Sequence, residues 1–162
     1  MKKLLAVLSF FAITYAPPAS AQDAASSLVG TWRYIFQSIT EVQSGKVTKP
    51  YGEKPSGYIT YTKGGRLQTI LVGEGRQKPE LPLKDEDRIK LFNTLVAATG
   101  TFKVEGNTLI ISYDTSWNEL WTGTTQKRTF EIAGNKLTIK SAPSKNAAGN
   151  EIFFTIVLDK VE

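Results

Sequence analysis

From residue 28 onward the chain keeps returning to one pattern. Short runs of alternating apolar and polar side chains are separated by turns built on Gly or Asn. A period of two puts successive side chains on opposite faces, so each run is a half-buried strand. Leu28 to Ile39 places Leu28, Gly30, Trp32, Tyr34 and Phe36 on one face, with Thr31, Arg33 and Gln37 on the other. Lys46 to Lys49 reads as a short edge strand stopped by Pro50 and Pro55. Tyr58–Thr62 and Arg66–Val72 flank Lys63-Gly64-Gly65, a turn-forming triplet. Thr101–Glu105 and Thr108–Thr115 meet at Gly106-Asn107, and Thr124–Ile132 and Lys136–Ser141 meet at Gly134-Asn135. The polar stretch Pro143–Asn150 then leads to Glu151–Val161, where Ile152, Phe154, Ile156 and Leu158 share a face. Tight Gly/Asn turns between strands specify antiparallel hairpins in series.

One segment changes period. After a loop over residues 73–82, marked by Gly73, Gly75, Pro79 and Pro82, Leu83 to Ala98 places Ile89, Phe92, Leu95 and Val96 on a helical stripe. Asp85, Glu86 and Asp87 fall in its first turn, where carboxylates oppose the positive end of the helix dipole, and Gly100 sits where a helix would stop. The fold class that follows is all-β: an antiparallel up-and-down barrel of about eight or nine strands with one inserted helix lying against its surface or one end. Closure of the last strand onto the first leaves no unpaired edge.

The N-terminus carries an address. Met1-Lys2-Lys3, the apolar run Leu4–Tyr15, Pro17-Pro18 and the small residues Ala19-Ser20-Ala21 have the layout of a bacterial secretory leader. The organisation expected is a signal peptide over residues 1–21 cleaved after Ala21, a flexible lead-in over 22–27 and a barrel domain over 28–162. The apolar run is short for a membrane span, and no Cys follows the cleavage point to take a lipid, so no stable membrane anchor is expected. The expected location is periplasmic or secreted. Cleavage removes two of the 20 basic residues and none of the 15 acidic ones, so the net charge falls from +5 to +3. That mild, scattered charge lacks the footprint of a nucleic-acid binder.

The chain has no Cys and no His. Thiolate and imidazole metal sites, Cys nucleophiles and the Ser-His-Asp arrangement are therefore excluded. Asp85-Glu86-Asp87 reads as a helix start rather than a metal site. Gly64-Gly65 and Gly73-x-Gly75 lack phosphate-loop or dinucleotide spacing. No cofactor and no metal are expected.

Leu28-Val29-Gly30-Thr31-Trp32 carries a G-x-W on the first strand. It is followed in order by Pro55–Thr62, Gly65-Arg66-Leu67, Gly75-Arg76, Gly100-Thr101-Phe102 and Gly123–Phe130. This succession resembles the bacterial lipocalin-like domain family over residues 28 to about 161. The resemblance implies a barrel closed at one end by Trp32 packed against Arg128 from a late strand, a contact with a cation–π component of about 1 kcal/mol. The chain departs from the family at Ile110-Ile111-Ser112-Tyr113-Asp114, where many members carry a histidine.

The candidate ligand-binding residues are Tyr34, Tyr61, Tyr113, Trp117, Gln126 and Arg128. Three strand tyrosines beside apolar neighbours suit a pocket whose hydroxyls orient a ligand. Trp117 and Trp121 bracket a loop that would serve as a lid or as a staple to the core. Gln126 shares a face with Arg128 and would bond a buried carbonyl or a ligand. Arg76 would meet an acidic group or stay solvated, and Asp114 and Glu119 are the carboxylates nearest the aromatic cluster. The leading expectation is an exported barrel that binds a small hydrophobic or amphipathic molecule in a cavity of at least about 300 Å³. The alternatives are a barrel-type isomerase or cyclase, marked by a perturbed carboxylate or tyrosine facing a cavity, and a packed barrel that binds other proteins through an exposed apolar patch. Nothing in the sequence specifies an oligomeric state.

Overall fold

The alternating segments pair with their chain neighbours and the series closes on itself. The structure, a computed structural model, describes residues 21–162, so the leader expected over residues 1–21 lies, apart from Ala21, outside the described residues. The elements are α1 (Ala21–Leu28), β1 (Gly30–Glu41), β2 (Val47–Thr48), β3 (Ser56–Tyr61), β4 (Arg66–Val72), α2 (Asp85–Asn93), β5 (Leu95–Glu105), β6 (Thr108–Ser116), β7 (Thr125–Ala133), β8 (Lys136–Ser141), β9 (Ser144–Lys145) and β10 (Glu151–Lys160). Eight antiparallel strands run β1-β3-β4-β5-β6-β7-β8-β10, and β10 pairs back onto β1 to complete a closed barrel. The short strands β2 and β9 extend the rims of β1 and β10. No helix among the described residues is long and apolar enough to cross a membrane.

Alternation decides what enters the barrel. Strand β5 buries Val96, Ala98, Gly100, Phe102 and Val104 while the residues between them stay accessible, and β6 does the same with Leu109, Ile111 and Tyr113. With Leu67, Leu71, Leu137, Ile139, Ile156 and Leu158 these form one continuous core.

Three local expectations are corrected. The helix ends at Asn93, and Leu95 to Thr99 belong to β5 instead of continuing it to Ala98. Val96 and Ala98 fit a period of two as well as one of 3.6, and pairing with β4 and β6 decides for the strand. Gly100 is accordingly a strand residue beside a bulge, not a helix stop. The short helix α2 adds nothing to the core: it has no buried residue, and Ile89 and Phe92 face solvent. Second, residues 22–27 are helical in α1, where Ala24 and Ala25 pack against the core, rather than a flexible lead-in. Third, β1 carries a bulge between Tyr34 and Phe36. The bulge reverses the alternation, so Gln37 turns into the barrel and Phe36 leaves the face it was expected to share with Trp32 and Tyr34, meeting the Lys49 ammonium 4.9 Å from its ring.

Trp32 plugs one end. It is fully buried and its indole N–H donates to the Leu28 carbonyl at 2.8 Å. The C-terminus locks over it, with Thr31 N–H donating to Glu162 O and Val161 N–H to Thr31 O. Gly30 makes this approach possible: a Cβ there would lie 2.1 Å from the Glu162 carbonyl oxygen, on a backbone at φ +127°.

Candidate functional site

The other end of the interior is where polar groups converge. A cavity of about 90 Å³ is lined deep inside by Tyr34, Tyr61, Tyr113 and Arg128 among apolar neighbours, and at its mouth by the half-buried Gln37, Tyr51, Trp121 and Phe154. Eight-stranded barrels have interiors just wide enough for side chains or one small ligand. This volume lies well below the expected few hundred Å³, because the tyrosines and Arg128 occupy much of the space themselves.

The structure does not bring Trp32 and Arg128 together. Lys160 is the cation over the indole, at 5.3 Å, while the Arg128 guanidinium stands 4.8 Å from the Phe154 ring and 6.0 Å from Tyr113. Register explains the separation. Trp32 sits opposite Lys160 on β10, whereas Arg128 sits opposite Ser141, whose hydroxyl accepts from Phe154 N–H.

Arg128 is 6% exposed. One of its terminal nitrogens, Nη2, donates to the Tyr113 hydroxyl at 3.0 Å and to Gln126 Oε1 at 2.7 Å. Gln126 therefore holds the arginine rather than a buried carbonyl. The guanidinium Nε has no hydrogen-bond partner among the described residues, and neither has the Tyr61 hydroxyl, although both are buried. No Asp or Glu lines the cavity. Tyr61 meets Phe102 edge-on at 5.0 Å between ring centroids, and the Tyr34 hydroxyl is paired with Thr69 Oγ1 at 2.9 Å.

Burial pushes the Tyr34 and Tyr61 hydroxyls well above the ordinary tyrosine range, with the Arg128 charge pulling weakly the other way. These are the perturbed tyrosines named for the isomerase or cyclase alternative, but the direction keeps both neutral. They offer hydrogen-bond donors and no base.

The remaining candidates separate. Trp121 reaches the cavity mouth, its ring 5.3 Å from Tyr113, and Trp117 packs edge-on against it at 4.8 Å, so the loop is stapled rather than hinged. Trp117 itself lines an open groove of about 710 Å³ on the outer face of β3 to β6, with Tyr58, Ile70 and Thr99, and not the cavity. The groove is much the larger space, yet the buried unpartnered polar atoms lie inside the barrel, and the chemistry is placed there. Asp114 is on the outer surface, held by Arg66 and by Thr99 Oγ1 at 2.6 Å, which pulls its carboxyl below the usual range. Glu119 accepts from Thr122 in an exposed loop, and Arg76 donates to the Leu91 carbonyl of α2. Neither carboxylate lines the cavity.

Sequence reading missed Gln37, Tyr51 and Thr69. Thr69 was within reach, since it alternates with Leu67 and Leu71 on β4. Gln37 was hidden by the bulge, and Tyr51 lies in a Pro-bounded loop without periodicity.

The model of the lipocalin-like domain matches residues 29–158. The chain belongs to this family. A crystal structure of an uncharacterized protein from Bacteroides eggerthii DSM 20697 is similar to the lipocalin-like chain at 14% identity, covering 82% of this chain and 98% of that one with a TM-score of 0.43. No curated protein matches this lipocalin-like chain.

Proposed function

We propose that this lipocalin-like barrel is an exported, non-catalytic binder of one small amphipathic molecule, which enters between Tyr51, Trp121 and Phe154. The observation that carries the reading is the convergence of Arg128 and three tyrosines on an interior cavity inside an otherwise apolar barrel. About 90 Å³ takes the room of roughly three waters at ~30 Å³ each, enough for a polar head and a few further atoms. A longer body has to leave through the mouth, over apolar and aromatic rings. The leader-like residues 1–21 support export.

Two measurements test this. A small-molecule fragment screen followed by amide NMR should shift residues around Tyr34, Tyr61 and Tyr113. Shifts confined to the outer groove around Tyr58 and Ile70 would instead favour the packed barrel that binds partners on its outside. Expressed in a bacterium with an envelope, the protein should be recovered from the periplasm with a mass beginning at Gln22. Recovery in the cytoplasm with residues 1–21 intact would refute export.

A further inference from the structure

Resting on the interior-binding reading, a sharper statement concerns what the ligand carries. A guanidinium in a low-dielectric interior is stable only when its charge and its donors are answered. Here the partners of Arg128 are a phenol and an amide, both neutral, and its Nε points to no acceptor among the described residues. The Tyr61 hydroxyl, 1% exposed, is a second donor without an acceptor, and it senses the Arg128 charge across the same cavity. The cavity lining holds no carboxylate. One positive charge and two idle donors around a space of about 90 Å³ form a receptor with its anion missing from the protein's own side chains.

We infer that the cavity binds a small organic carboxylate, with the carboxylate at Arg128 Nε and the Tyr61 hydroxyl and the apolar body directed toward Phe154, Trp121 and Tyr51. A flat carboxylate can accept from Nε through one oxygen and from the Tyr61 hydroxyl through the other, and it occupies less of so small a space than a tetrahedral oxyanion. Gln126 and Tyr113 act as positioning residues: by accepting from Nη2 they hold the guanidinium and leave Nε without a partner among the described residues. A second carboxylate on the ligand would have no cation to meet inside, so the class is a monocarboxylate.

The test compares each acid with its primary amide, which keeps the shape and removes the charge. Benzoate and benzamide, then hexanoate and hexanamide, are titrated into the protein at pH 7 by calorimetry and amide NMR. The acids are expected to bind at least about tenfold more tightly than the amides, since charge-assisted hydrogen bonds are the stronger ones. Arg128→Gln should bring that ratio to about one. Equal binding of acid and amide to the unaltered protein would overturn the carboxylate assignment and leave the interior-binding reading standing. If neither acid nor amide shifts the cavity residues, both readings fall. The acid-to-amide ratio of the unaltered protein decides even if Arg128→Gln does not fold.

Discussion

At the Trp32 end of the barrel the indole N–H is donated to Leu28, the chain terminus is hydrogen-bonded to Thr31 and apolar side chains fill the space. At the Arg128 end a guanidinium nitrogen and a tyrosine hydroxyl are buried with no partner among the described residues. Strands β1 and β10 serve both ends, and both follow the same alternation. What differs is the kind of residue that alternation turns inward. One end is built as a plug, where burial of large apolar side chains stabilises the fold. The other breaks the rule that buried polar groups are answered, and natural chains tolerate such breaks chiefly where a site needs them.

The contrast is broken most sharply by removing the plug. Trp32→Ala should cost about 3–5 kcal/mol, the range for emptying a buried Trp position, and lower Tm by roughly 10–15 °C. Arg128→Leu, which deletes a buried cation lacking a carboxylate partner, should leave the stability of the unliganded protein unchanged or raise it. Thermal unfolding of both variants checks the pair. A large loss from Arg128→Leu would mean that the two ends are energetically alike.

How much of this contrast the sequence disclosed depends on range. Closure, strand order and the burial of Trp32 follow from alternation and turn residues, which are local, and they are what the structure has. The partner of Trp32 was misassigned because pairing Arg128 with it needs the register of two strands distant in sequence. The bulge at Tyr34 and Phe36, a single extra residue, hid Gln37. Val96 and Ala98 fit two periods, and only pairing with β4 and β6 settles the choice. Tyr34, Tyr61, Tyr113 and Arg128, each on an alternating strand, line one cavity and Gln126 holds Arg128, whereas Trp117 lies on the outer groove.

Alkaline pH should act on the polar end selectively. Tyr34 and Tyr61 are held above the unfolded value of about 10 by burial. Above that pH the unfolded chain gives up both protons while the folded chain keeps them, so folded protein binds more protons and stability falls as pH rises. The contribution is complete below pH 10. Above it each hydroxyl costs up to about 1.4 kcal/mol per pH unit, near 2.7 for the two together. Urea unfolding at pH 9, 10 and 11 measures the slope. The ultraviolet absorbance of tyrosinate should show two hydroxyls ionising only as the protein unfolds, and early ionisation of both would place them in contact with water.

The finest division lies within the polar end itself. Tyr34 and Tyr61 are both buried, but the first hydroxyl is paired with Thr69 and the second has no partner. Tyr34→Phe should therefore destabilise by about 1 kcal/mol, through a lost hydrogen bond and a stranded Thr69 hydroxyl. Tyr61→Phe should stabilise by a similar amount, because it deletes a buried donor that nothing answers. Chemical denaturation of the two variants reads opposite signs if this is right. Equal losses would mean that Tyr61 is as well satisfied as Tyr34, and the difference between the barrel's ends would shrink to Arg128 alone. Repeating the measurement with saturating benzoate carries the comparison into function. A hydroxyl held ready for a carboxylate makes Tyr61→Phe the more stable protein when empty and the less stable one when loaded, a reversal that a tyrosine serving only as core would not produce.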